Sequence, residues 1–180
     1  MSSELITQRN KYDKAGECIK SGLGAEQLFD KIAESKNLEV KNARRRENIH
    51  KHIDKYITEE NDKRVQTWSV DIKARKKTSR SDSSAQDEWI WIEFQNVRGN
   101  KGWLYGEADN IAFETENSFV IVDRKSLINY VKNAVDMSKV VRKSYQAKYK
   151  TYQRAGRNDL LTMIELSKII ENCNHFVWQK

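Results

Sequence analysis

The spacing of apolar residues changes period along this chain, and that change restricts the fold more than any other feature. Between Leu23 and Ala33 the apolar residues come at helical steps, with Ala25, Leu28, Phe29, Ile32 and Ala33 on one side. Further on the period falls to two. In HIDKYI, Ile53 and Ile57 oppose His52, Asp54 and Tyr56; in VQTWSVDIKA, Val70, Ile72 and Ala74 oppose Asp71 and Lys73. A helix with one apolar stripe followed by alternating strands calls for a sheet with a helix packed on its face.

The rest of the chain extends this frame. Residues 1–22 read as a polar helical extension ending near KSGLG, and 37–43 (NLEVKNA) as a short strand. RRREN (44–48) and TEENDK (58–63) read as charged turns, and the serine- and charge-rich stretch 75–88 as a mobile loop. WIWIEFQNV (89–97) is a strong strand, RGNKG (98–102) a turn, and WLYGEADNIAFET and SFVIVDRKSL two further strands. SLINYVKNAV (126–135) has helical spacing, the basic stretch 139–157 reads as a helical face, and DLLTMIELSKII is helix-compatible. These elements predict one α/β domain: a helical extension at 1–22, a core at 23–135 with a central mixed sheet flanked by helices, and a helical, basic segment at 136–180 packed on that core.

Composition narrows the partners. The chain has 180 residues and a net charge of +7, and a sequence pI near 9.3. A basic excess favours polyanions, nucleic acid first. No apolar run approaches the roughly 20 residues needed to span a bilayer, and the polar N-terminus has no signal-peptide core. The expectation is a cytoplasmic protein with no membrane partner, with monomer and homodimer both open. Cys18 and Cys173 are far apart and the histidines show no metal spacing, so a structural zinc is not expected.

The chemistry concentrates in the alternating segments. Hydrolysis of a phosphodiester with a divalent ion needs carboxylate oxygens for the ion and a cation to orient water or offset developing charge. Asp71 and Lys73 project from one face of a strand, Asp54 precedes them on a neighbouring strand, and Glu26 lies on the upstream helix. The order helix with Glu, strand, strand with Asp, strand with Asp-x-Lys resembles the opening of the PD-(D/E)XK nuclease superfamily over residues 23–74. The later strands resemble small phage-encoded members. Ile53 stands where the motif's proline would be, and Asp71 takes the position more often filled by Glu.

The resemblance implies a restriction-endonuclease-like fold and a Mg²⁺-dependent endonuclease acting on DNA, with Mn²⁺ able to substitute, in the host cytoplasm if phage-encoded. It implies Asp54, Asp71 and Glu26 as metal ligands and Lys73 as the residue that positions the nucleophile. The alternative is an inactive protein of nuclease fold that binds DNA or a host protein. Two rival placements lie in the same chain. One joins Asp71 to Glu93 and Gln95, since some members carry Gln in place of Lys. The other uses Asp109, in a Gly-x-x-Asp setting similar to some junction resolvases, with Asp123 and Lys125. The first placement is preferred because Glu26 and its helix lie directly upstream.

Cations expected to meet phosphates are Arg44, Arg45 and Arg46, then Arg75, Lys76 and Lys77, then Arg142, Lys143, Lys148 and Lys150. Tyr145, Tyr149 and Tyr152 are interleaved with the last group and could stack on bases or dock on the core. The tryptophans read mainly as packing residues.

Overall fold

The computed structural model describes residues 16–79 and 81–180. Helix α1 (Glu17–Ser35) leads into strand β1 (Glu39–Asn42), helix α2 (Arg45–Lys51), and the hairpin strands β2 (Lys55–Asn61) and β3 (Arg64–Lys73). Next come β4 (Trp89–Gln95), a 3-10 turn at Trp103–Tyr105, β5 (Asn110–Glu114), β6 (Ser118–Asp123) and α3 (Arg124–Ala134). The chain ends with β7 (Asp136–Val141), β8 (Lys150–Tyr152), β9 (Leu160–Glu165), α4 (Leu166–Asn172) and β10 (His175–Gln179).

Six strands form a mixed sheet in the order β1-β2-β3-β5-β6-β10, and four form a second in the order β4-β9-β8-β7. In the larger sheet β3 and β5 are parallel, whereas the neighbouring pairs β2–β3 and β5–β6 are antiparallel. Helix α1 lays Phe29, Ile32 and Ala33 on one face of this sheet, against Ile57, Val70, Ile72, Phe119 and Trp178. The opposite face packs Ile111, Phe113, Val120 and Val122 against Ile92 and Phe94 of β4, Leu127 and Val131 of α3, and Ile169 of α4. The protein is therefore a single α/β domain with mixed sheets, covered by helices on both faces of the larger one. Among the described residues no helix is long and apolar enough to cross a membrane, and neither cysteine forms a disulfide.

The turn expected at TEENDK narrows to Asp62 and Lys63, because β2 runs on to Asn61 and pairs with β3 over that length. Three further expectations are corrected. The helix does not break at KSGLG: α1 runs through Gly22 and Gly24, which have no neighbour within 4 Å of a built Cβ and sit where the helix needs no packing. Residues 1–15 of the expected extension lie outside the described residues. RRREN is not a turn but the start of α2, because Glu47 reaches back to accept the Arg44 N–H at 3.0 Å and satisfies an otherwise unpaired helix-start donor.

The last correction concerns the C-terminal part, which is mainly strand. β9 pairs along β4 and β10 pairs along β6, so residues 136–180 are tied to the earlier strands by backbone ladders. The basic stretch 139–157 contains the end of β7, a 3-10 turn and β8. In β8 only Thr151 is buried, and Lys150 and Tyr152 project the other way.

Candidate functional site

Asp54 lies in the short connection between α2 and β2, where the backbone prolongs the hairpin ladder. Its N–H donates to Val70 O at 2.9 Å, and its carbonyl accepts the Ala43 N–H at 2.9 Å. The side chain acts as a bracket: Oδ1 accepts from Asn48 Nδ2 at 2.5 Å and Oδ2 accepts the Ile72 N–H at 2.7 Å. Helix α2 thus fixes the Asp54 carboxylate against the end of β3. Two of its roughly four lone-pair directions stay unassigned.

Asp71 is 2 % exposed. Strand alternation turns Val70 and Ile72 toward α1 and puts Asp71 and Lys73 on the opposite face. Lys73 Nζ donates to Asp71 Oδ1 at 2.6 Å and stands 5.2 Å from the centre of the Trp103 ring. Asp71 Oδ2 is buried with no hydrogen-bond donor, and the Asp54 carboxyl lies within hydrogen-bonding reach of Asp71. Burial pushes the Asp71 carboxyl up to about 8; Asp54 adds to the rise and Lys73 opposes it. Burial alone would lower Lys73, but the carboxylates of Asp71 and Asp54 outweigh it and hold the ammonium above its usual range.

Glu26 approaches from the other face of the sheet. Burial raises its carboxyl, with Asp54 as the next contributor, but among the described residues Glu26 forms no three-acid group with Asp54 and Asp71. Its closest described cation is Lys55, at 3.5 Å. Lys55 is 4 % exposed and also donates to Asp30 at 3.0 Å and Asn42 at 2.6 Å. It pins α1 to β1 and β2 beside the acidic cluster. Nothing in the sequence pattern singled it out, since a lysine in an alternating strand reads as a solvated position.

The first rival placement partly merges with this cluster. β4 carries Glu93 close enough to Lys73 for the two charges to interact. Burial raises the Glu93 carboxyl, while Lys73, Lys76, the Trp103 N–H and Arg154 pull it down. Gly102 makes the approach possible, because a Cβ there would stand 2.3 Å from Glu93 O. Gln95 instead donates from Nε2 to Asn158 O and holds the β8–β9 connection. His52, also unsignalled by any motif, adopts a left-handed conformation at φ 53°. Burial lowers its imidazole, and the nearby Lys73 charge lowers it further.

The second rival placement comes apart into structural parts. Asp109 Oδ2 accepts from Ser69 N at 2.8 Å and Ser69 Oγ at 2.7 Å, tying β5 to β3. Asp123 caps α3 by accepting the Ser126 N–H at 2.7 Å, and Lys125 is exposed in the first turn of that helix.

The basic residues are scattered. Arg44, Arg45 and Arg46 are exposed at the start of α2, and Lys76, Lys77 and Lys150 are exposed as well. Arg75 pairs with Asp87 at 2.6 Å, and Arg142 donates to Gln153 at 2.7 Å. Lys143 lies 5.9 Å from the Tyr145 ring centre and Lys148 4.0 Å from that of Trp89.

Among the described residues no group of three or more His, Cys, Asp or Glu side chains is arranged to hold a metal ion. Asp54 and Asp71 make a set of two, with one buried oxygen lacking a donor. Magnesium is commonly held by one or two carboxylates together with waters and substrate phosphate, so this pair fits that ion although a full protein cage is not present. No family model, curated protein or solved structure matches the chain.

Proposed function

We propose that this protein is a divalent-metal-dependent nuclease of the PD-(D/E)XK type that hydrolyses phosphodiester bonds in DNA. The observation that carries the reading is Asp71: a buried carboxyl beside a second carboxyl, with an oxygen that no donor satisfies and a lysine at 2.6 Å. Burying two carboxyls together is costly unless they share a proton or a cation. The succession α1, β1, β2, β3, with the short helix α2 inserted between β1 and β2 and the acids at one end of the β2–β3 hairpin, supports the same reading.

Asp54 and Asp71 would hold Mg²⁺ or Mn²⁺ together with waters and a substrate phosphate. A bound divalent ion supplies polarisation of the phosphate and a water acidic enough to ionise near neutral pH. Lys73 keeps one N–H on Asp71 and has others for an attacking water or a phosphate oxygen. Asn48 and the Ile72 N–H hold the Asp54 carboxylate in place.

The test is cleavage of a panel of DNA forms with Mg²⁺, with Mn²⁺ and with EDTA. Asp71→Asn and Lys73→Ala are each expected to lower the rate by about a hundredfold or more while the fold is kept by circular dichroism. A folded Asp71→Asn protein that cuts as fast as the wild type removes this site. The direct pairing of Lys73 with Asp71, and the lack of a third ligand, favour one second reading: an inactive nuclease-fold protein that binds DNA or a host protein. Wild type that binds DNA but cuts no form with either ion selects it.

A further inference from the structure

The outer face of the second sheet begins where the acid–lysine cluster ends. Ile92 and Phe94 of β4 point into the core, so Trp91 and Glu93 point outward. Across the strands Glu93 is level with Leu161, and Leu161 with Tyr152. The Trp91 and Tyr152 rings lie 5.8 Å apart and tilted by 41°, and both side chains are only half-buried. Trp91 also donates from Nε1 to Lys77 O at 3.0 Å, anchoring the basic loop to this face.

Cations border these rings. Lys76 and Arg154 are near enough to Glu93 to act on its charge, and Lys148 sits over Trp89, one step along the same face of β4. Lys73, Lys76 and Trp91 line one cleft with Trp103, so the aromatic face and the proposed nucleophile-positioning lysine open onto each other. The cleft is narrow, with a cavity volume of about 30 Å³. The partly exposed rings beside it form the surface on which bases can lie.

We propose that this face binds single-stranded DNA, with unpaired bases stacked on Trp91 and Tyr152 and phosphates met by Lys76 and Lys148, leading the strand to the acid–lysine cluster. The inference rests on the nuclease reading and extends it by naming the form of substrate. Stacking platforms edged by cations take single strands because every base has a π-face to offer, whereas a duplex keeps its bases inside. Charge complementarity decides the occupant: Arg154 is already paired with the buried Asp159, and an apolar peptide would bring no anion to Lys76 and Lys148.

Fluorescence anisotropy with labelled oligothymidine and with a labelled duplex, at one fixed salt concentration and in EDTA, tests this independently of cleavage. Wild type is expected to bind the single strand more tightly than the duplex. Trp91→Ala and Tyr152→Ala should each weaken the single strand about tenfold and leave the duplex unchanged. Trp91→Phe keeps a ring but loses the bond to Lys77 O, so it should keep most of the affinity; if it falls as far as Trp91→Ala, the tryptophan serves only to anchor the loop and the proposal fails. Folded alanine variants that bind the single strand as wild type does also overturn it. Selective single-strand binding without cleavage in Mg²⁺ or Mn²⁺ would sustain the platform and sink the nuclease. Cleavage with no effect of the ring variants would do the reverse.

Discussion

Asp71 carries a cost in stability that its chemistry explains. A carboxyl whose pKa rises on folding leaves stability untouched only while both the folded and unfolded forms are protonated. As pH climbs above about 4, the unfolded chain ionises first, and the native state loses ground until the folded pKa of about 8 is reached. Asn in this place keeps an oxygen for the Lys73 ammonium and gains an N–H for Asp54. Asp71→Asn is therefore expected to raise unfolding free energy by a few kcal/mol at neutral pH, with the gain near zero at pH 4 and growing toward pH 8. Urea denaturation at several pH values measures it, and a gain that does not grow with pH contradicts the burial argument. Lys55 works in the opposite sense. Lys55→Met leaves Asp30 and Asn42 without their donor and should cost about 1–3 kcal/mol, since both acids it meets are about a quarter exposed. An unchanged denaturation midpoint would mean that the clamp contributes nothing. Asp71 and Lys73 were legible in the sequence because alternation puts i and i+2 on one face. Glu93 was legible as a rival ligand beside Asp71, whereas Lys55 and His52 were not, because their roles depend on which distant strand or turn folds over them.

At the level of elements, the site depends on how α2 is held. Gly106 follows the 3-10 turn and lies under the end of α2, where a Cβ would come 2.7 Å from Lys51 O and 2.8 Å from His52 Cβ. The Glu107 N–H donates to the same Lys51 carbonyl at 2.7 Å. Gly106→Ala is expected to push the 51–54 connection away from β3, loosen the Asn48–Asp54 bracket and cost about 1–3 kcal/mol. Thermal denaturation should show that loss, and the cleavage rate should fall although no residue of the cluster has changed. Wild-type stability and rate in Gly106→Ala would show that the contact relaxes freely. The hairpin β2–β3, the strands β4, β5 and β6, and helix α3 follow from sequence because each is an alternating, short apolar or helically spaced run set off by turn residues. β9 does not: Thr162, Met163 and Ile164 are buried in succession, and a short run buried on both faces has the same pattern as part of a buried helix. β8 is only three residues long, too short for any period, and its pairing with β7 shifts register between Asp136 and Val140.

At the level of the whole molecule, the six-stranded sheet couples the two cores. The α1-side cluster contains Phe29, Ala112, Ile121 and Trp178, and the opposite cluster contains Ile111, Val120, Val122 and Ile169. β5 and β6 thus contribute alternate residues to both, so neither cluster can open while the other keeps its strands. The last strand closes the arrangement, since Trp178 packs 5.0 Å from the Phe29 ring and 5.9 Å from that of Trp68. This coupling predicts one unfolding transition for the described domain. Trp178→Ala on one side and Ile169→Ala on the other should each remove about 2–5 kcal/mol, and each should shift the same transition whether followed by circular dichroism or by tryptophan fluorescence. Separate transitions, or a variant that moves one probe and leaves the other in place, would mean that the second sheet unfolds as a unit of its own. The acid–lysine cluster would then rest on the six-stranded sheet alone, and the Trp91–Tyr152 face could be lost without it. A single transition ties the two surfaces into one unit, as a strand passing from the stacking face to Lys73 requires.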